Sequence, residues 1–208
     1  MADTTISLNN SNTGTGKAVP IAAVDYNGDQ TKYALAAAIV SGGGGGITVA
    51  CPSSSFTRPA NTTAYVSGQL VANSTTAGSV TPLSWTAARV AAGSFRIPRI
   101  RFYKSSTGVT GSVFEVHLYA TSPTVVNGDG ATFSDNKMGS ADYLGCFIVT
   151  VDQVGSAGVS GIGVPKNGSA VETVLASGQT IYGLVKAAAA YAPGNGETIG
   201  VVLEIEQN

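Results

Sequence analysis

Residues 112–121 read Ser-Val-Phe-Glu-Val-His-Leu-Tyr-Ala-Thr, and they sort onto two faces with a period of two. Phe114, Val116, Leu118 and Ala120 point one way, and Val113, Glu115, His117 and Tyr119 the other. An apolar row backed by a mixed row marks a half-buried strand, and the first row is expected in the core. Residues 198–206 repeat the pattern, with Val201, Leu203 and Ile205 inward and Glu204 and Glu206 outward.

Working outward, similar short runs occur at 64–72, 79–87, 94–104, 143–151, 170–175 and 180–187, separated by glycine-bearing turns. Eight strands on a body of about 150 residues predict an all-β fold. The expected architecture is an antiparallel β-sandwich, jelly-roll-like or another Greek key, over 51–208. The connections 121–142 and 153–169 exceed hairpin length, so partner contacts on the body are expected there first.

Residues 1–50 differ in character and are expected to form an extended N-terminal arm ending in a glycine-rich hinge. Residues 1–19 are mostly Thr, Ser, Asn and Gly, too little apolar surface to offset the entropy of ordering. Residues 21–40 fit two extended segments around an Asn27-Gly28-Asp29 turn, while the alanine run fits a helix, and both readings stand. The Asp25–Asp29 cluster is not a calcium loop, because Gln30 stands where glycine is needed and Ala36 where a bidentate glutamate is needed. Gly42 to Gly46 is a hinge and not a phosphate loop, since it lacks a Gly-Lys-Ser/Thr and runs into the strand-like Ile47-Thr48-Val49.

Charged residues make up 11% of the 208-residue chain and the net charge is −1. A typical domain carries about 25%. No basic stripe exists to neutralise phosphates, so nucleic acid is not an expected partner. Low mutual repulsion suits a protein that sits against copies of itself or a large partner. No run reaches the ~18 apolar residues of a membrane span, and the N-terminus lacks a secretory pattern, so synthesis in a cytoplasm is expected. Cys51 and Cys146 leave one bridge open on sequence grounds, although two isolated cysteines without a signal more often stay thiols.

Chemistry is sparse. His117 shares a face with Glu115 about 7 Å away, but no nucleophile accompanies the pair, and it reads as two residues on a solvated or half-covered sheet face. The cysteines and the histidine lack ligand spacing; Asp129 and Asp135 flank a glycine-rich loop and could hold a cation through oxygen ligands, but turn chemistry explains them equally well, and no metal is expected. Gly161, Gly163 and Gly168 lack a strand-to-helix context, which leaves no cofactor and no catalytic residues. Arg96, Arg99 and Arg101 form the one charge concentration. Carboxylates of Glu115, Glu204 or Glu206 can neutralise them across strands; alternatively Arg99 and Arg101 reach an acidic strip on a partner. Trp85, the only tryptophan, reads as a core anchor.

Residues 56–80, FTRPANTTAYVSGQLVANSTTAGSV, open the patterned region. Arg58-Pro59 fixes an extended start, and the turn at Asn61-Thr62-Thr63 delivers Tyr65 into the first candidate strand. This run resembles the opening of small virion proteins of tailed bacteriophages that decorate or cement the capsid. The likeness extends over Tyr143-Leu144-Gly145, Gly161 to Pro165, Ile181-Tyr182-Gly183 and Glu197-Thr198, and Val24-Asp25-Tyr26 with Gly28-Asp29 is similar to a leader on other phage virion proteins. The resemblance implies a non-enzymatic homotrimer on the capsid surface, assembled in the host cytoplasm, with the major capsid protein as partner. An arm adding a strand to a neighbour would use Ile6, Leu8, Val19, Ile21 and Val24. The alternative is a tail- or neck-associated virion protein or host-surface glycan module, with Tyr65, Tyr119 or Tyr191 stacking on sugars.

Overall fold

Twelve strands and no helix make up the described residues of the structure, a computed structural model that describes 47–109 and 111–208. In chain order they are β1 (Thr48–Ala50), β2 (Ser53–Thr57), β3 (Leu70–Val71), β4 (Leu83–Thr86), β5 (Ser94–Lys104) and β6 (Val113–Tyr119). There follow β7 (Tyr143–Thr150), β8 (Gln153–Gly155), β9 (Gly158–Pro165), β10 (Val171–Val174), β11 (Thr180–Ala187) and β12 (Thr198–Gln207). The all-β class read from the sequence is the class observed. Residues 1–46 of the expected arm, with Ile6, Leu8, Val19, Ile21 and Val24, lie outside the described residues, and Thr48–Ala50, expected at its end, are β1, paired with β12.

Every pairing is antiparallel, and hydrogen bonds follow one path, β1–β12–β5–β9–β7–β6–β11–β3. Strand β2 extends the β1 edge along β12, β4 extends the β3 edge along β11, β10 continues the β9 side of β5, and β8 pairs β9 as a hairpin. The ladder therefore does not divide into two sheets as a sandwich of separate layers would. Its two ends approach each other: Ser84 N donates to Ser54 Oγ at 3.2 Å, and Trp85 Nε1 donates to the Val201 carbonyl at 3.1 Å. The sheet thus curls until its β2 and β4 edges touch through side chains, while β1 keeps an exposed edge.

The alternation seen in the sequence fills the interior. Phe114, Val116 and Leu118 of β6 face Phe147 and Val149 of β7, Ile181 and Val185 of β11 and Val201, Leu203 and Ile205 of β12 in one core. Phe102 stacks on Phe114 at 4.6 Å. Trp85 is buried in the same core. On β5 the register shifts so that Arg99 faces Glu204 while Arg96 faces Glu206. A bulge containing Pro98, which has no N–H to contribute, restores the alternation, so Ile97 and Ile100 both point inward and all three arginines outward.

Three sequence expectations change. The 153–169 connection is the β8–β9 hairpin, and β9 is a central strand between β5 and β7. Its apolar pattern is inverted, with Gly161 and Gly163 inward and Ile162 and Val164 outward. Only glycine fits inside: a Cβ on Gly161 would lie 2.2 Å from the Thr150 carbonyl oxygen, and one on Gly163 2.5 Å from Ile100 Cγ1. The 64–72 strand contracts to Leu70–Val71, because Tyr65 makes an isolated bridge to Tyr191 and Gly68 turns at φ +90°. The 121–142 connection is not a free contact loop. It packs over the outer face of β6 and β11, where Leu70, Ala72, Tyr119, Val125 and Leu184 form a second buried cluster against Phe133 and Tyr143.

Candidate functional site

The outer face of the sheet is the candidate site, and its centre is open. From β5, Arg96 pairs with Glu172 of β10 at 2.8 Å and with Glu206 of β12 at 3.0 Å. Arg99 donates to Glu204, and Arg101 lies 3.3 Å from the same carboxylate. These cross-strand pairs are the neutralisation expected from sequence for Glu204 and Glu206. Glu115 takes no part in it. Arg99 and Arg101 nonetheless keep about half of their side-chain surface, 58% and 49%, open to a partner. Exposed pairs of this kind contribute little stability.

Directly beside Arg101, in register across the ladder, stands Ile162. Ile162 and Val164 are 53% and 54% exposed on a strand bonded on both sides. Tyr103 extends this patch, and its ring lies on the backbone of Gly200, where a Cβ would fall 2.0 Å from its Cζ. A groove of about 640 Å³ runs along Tyr103 and the β8–β9 turn, lined by Gln153, Ser156, Ser160 and Thr198.

Toward β6 the same face closes. Glu115 and His117, expected on a solvated or half-covered face, are buried because the 121–142 segment lies across them. Phe133 covers the His117 ring at 4.6 Å, and Asp135 accepts from the Tyr119 hydroxyl at 2.9 Å. Glu115 binds Lys166 Nζ through Oε1 at 2.6 Å, and its Oε2 is 2.5 Å from Lys186 Nζ and 3.4 Å from His117 Nε2. Burial works to raise the Glu115 pKa, but Lys166 and Lys186 outweigh it and bring it down to about 2. Burial, reinforced by Lys186, lowers His117 to about 4. Burial, with Glu115, pushes the Cys146 thiol up to about 12. Cys146 stands opposite His117 in the β6–β7 register, with Sγ 3.9 Å from Nε2. Both cysteines are free, Cys51 exposed and Cys146 buried.

A separate buried network ties down the segment that opens the patterned region. Arg58 Nη2 lies 3.0 Å from Asp129 Oδ2, and both side chains are almost completely enclosed. Arg58 Nε donates to the Tyr65 hydroxyl, which donates to Asp129 Oδ1, and the same oxygen accepts from Ala72 N at 2.8 Å. Burial opposes the guanidinium charge, while Tyr65 and Asp129 hold its pKa above the ordinary value. Tyr65 stacks on Tyr191 at 5.0 Å, and Tyr191 donates to Glu197, which pairs at 3.0 Å with a fully buried Lys104. The arginine and tyrosine that open this run thus serve as a clamp. Tyr65, Tyr119 and Tyr191 are all buried and unable to stack on a sugar.

No protein-family model, curated protein or solved structure matches the chain. Sequence reading placed Arg99 and Arg101 on the open face but missed Ile162 and Val164, whose region looks like a glycine-rich loop. The available signal was the alternation Gly161-Ile162-Gly163-Val164, a period of two with glycine on one face. It also missed the grouping of Glu115, His117 and Cys146, which depends on strand register.

Proposed function

We propose that the protein is a structural virion component that binds the outside of a tailed-phage capsid, self-associates as a homotrimer and decorates or cements the major-capsid-protein lattice. The observation that carries this reading is the outward pair Ile162 and Val164 beside Arg99 and Arg101 on central strands. Apolar side chains there gain nothing in the isolated body and gain by burial against a partner, while the arginines suit carboxylates on an opposing surface. The low charge and the resemblance of residues 56–80 support the same role. Many weak contacts on a lattice then act together. The test is binding of the purified protein to capsid shells lacking it, with imaging of its position. Density over the shell is the expected result, and absence of shell binding overturns the reading. Deleting residues 1–41 is expected to leave a folded body with weakened attachment, and unchanged attachment would rule out an arm contribution.

A second reading, a tail- or neck-associated or glycan-recognising module, is favoured by the groove beside Tyr103, where Ser156, Ser160 and Thr198 sit on a mostly apolar lining. Density at the tail, or saturable saccharide binding abolished by Tyr103→Ala, would select it.

A further inference from the structure

We propose that Glu115, His117 and Cys146 form a binding site for a borderline-soft divalent cation of the zinc type. The three donors come from two adjacent strands, β6 and β7. They are buried, and one ligand atom from each lies within 4.8 Å of the other two. Zinc bond lengths of about 2.0–2.3 Å in tetrahedral geometry require neighbouring ligand atoms roughly 3.4–3.6 Å apart. His117 Nε2 is 3.4 Å from Glu115 Oε2 and 3.9 Å from Cys146 Sγ, so the two edges at the histidine are already near these values, while the sulfur and the carboxylate lie within 4.8 Å of each other and draw together on the ion.

Glu115 Oε2 is buried and faces the histidine nitrogen, with Lys186 Nζ 2.5 Å away as its ionic partner. One further feature points to a ligand. His117 Nδ1 lies 3.0 Å from the Tyr143 hydroxyl. With its proton on Nδ1 donated to Tyr143, the ring turns the Nε2 lone pair toward Glu115 and Cys146, as outer partners do for metal-binding histidines. An imidazole, a thiolate and a carboxylate together favour zinc-like ions over calcium or magnesium.

The charges facing the cluster are Lys186 of β11, Lys166 after β9 and Asp135 of the covering segment. Lys166 keeps Oε1. Lys186 must release Oε2, and its side chain, 22% exposed, can turn to solvent. When the Cys146 sulfur–cation bond forms, the thiol S–H bond breaks and its proton passes to solvent. The carboxylate and thiolate then balance the two positive charges of the ion.

The test uses the full chain carrying Cys51→Ser, which removes the exposed thiol, titrated with cobalt(II) as the spectroscopic probe. The expected result is one equivalent bound with a thiolate-to-cobalt charge-transfer band. Cys146→Ser should abolish the band, His117→Ala should weaken binding at least about tenfold, and Lys186→Gln should tighten it by removing the competing cation. Zinc should raise the melting temperature of the Cys51→Ser chain but not that of the added Cys146→Ser variant, a readout independent of the cobalt spectrum. Absence of the band and of the thermal shift, or equal binding by the Cys146→Ser variant, overturns the proposal.

Discussion

Asp129→Asn removes the negative charge that faces Arg58 while keeping a side-chain oxygen for Ala72 N and the Tyr65 hydroxyl. Arg58 is 3% exposed, and its Nη1 already lacks a partner, so the guanidinium has no route to compensating solvent. Leaving one member of a buried pair unmatched typically costs about 3–5 kcal/mol. At about 2–4 °C per kcal/mol for a body of this size, the melting temperature should fall by roughly 6–20 °C. Urea denaturation followed by circular dichroism measures the free energy directly, and scanning calorimetry gives the temperature. The double variant Arg58→Met, Asp129→Asn should recover most of the loss, because replacing both members of a buried pair is often close to neutral. A loss below about 1 kcal/mol for Asp129→Asn, or a double variant as unstable as the sum of the singles, would refute the clamp.

Burial raises the pKa of Tyr65, Tyr119 and Tyr191 well above the phenol range. Their stabilising effect is complete below about pH 10, the unfolded value, and is lost as pH rises beyond it, so spectrophotometric titration should show these three ionising only with alkaline unfolding. Ile162→Glu with Val164→Glu should change stability by no more than about 0.5 kcal/mol per site while abolishing attachment to shells, a separation visible by comparing melting curves with a pelleting assay. Gly161→Ala forces a Cβ against the Thr150 carbonyl and should cost about 1–3 kcal/mol in urea denaturation, whereas Gly168→Ala, which meets nothing within 4 Å but sits at φ +77°, should cost less.

Where side-chain pattern and strand direction agree, the fold is readable from sequence. The runs 94–104 and 180–187 coincide with β5 and β11, and the inward rows of β6 and β12 are those of the alternation. Strand β9 escaped because close packing against Thr150 and Ile100 demands glycine where a core residue is expected, which erases the usual signal. Burial of Glu115 and His117 escaped for another reason. It depends on the 121–142 segment crossing the sheet, and the contacts that fix it, Asp129 to Arg58 and Asp135 to Tyr119, join residues far apart in sequence. Of the open face, the arginines were visible as a local charge concentration. Their apolar neighbours become neighbours only through the β5–β9 register.

The pairing of β2 with β12 has a kinetic meaning. Thr57 and Thr198 touch across 141 residues of chain, and β12 is bonded along both sides. A nascent chain therefore cannot complete its sheet until residue 207 has been synthesised, and earlier strands wait with β5 lacking one neighbour. Closing such a long loop before any reward from pairing slows folding and leaves a strand edge exposed meanwhile. Slow refolding that accelerates on circular permutation joining the 48–57 and 198–207 segments is the expected signature.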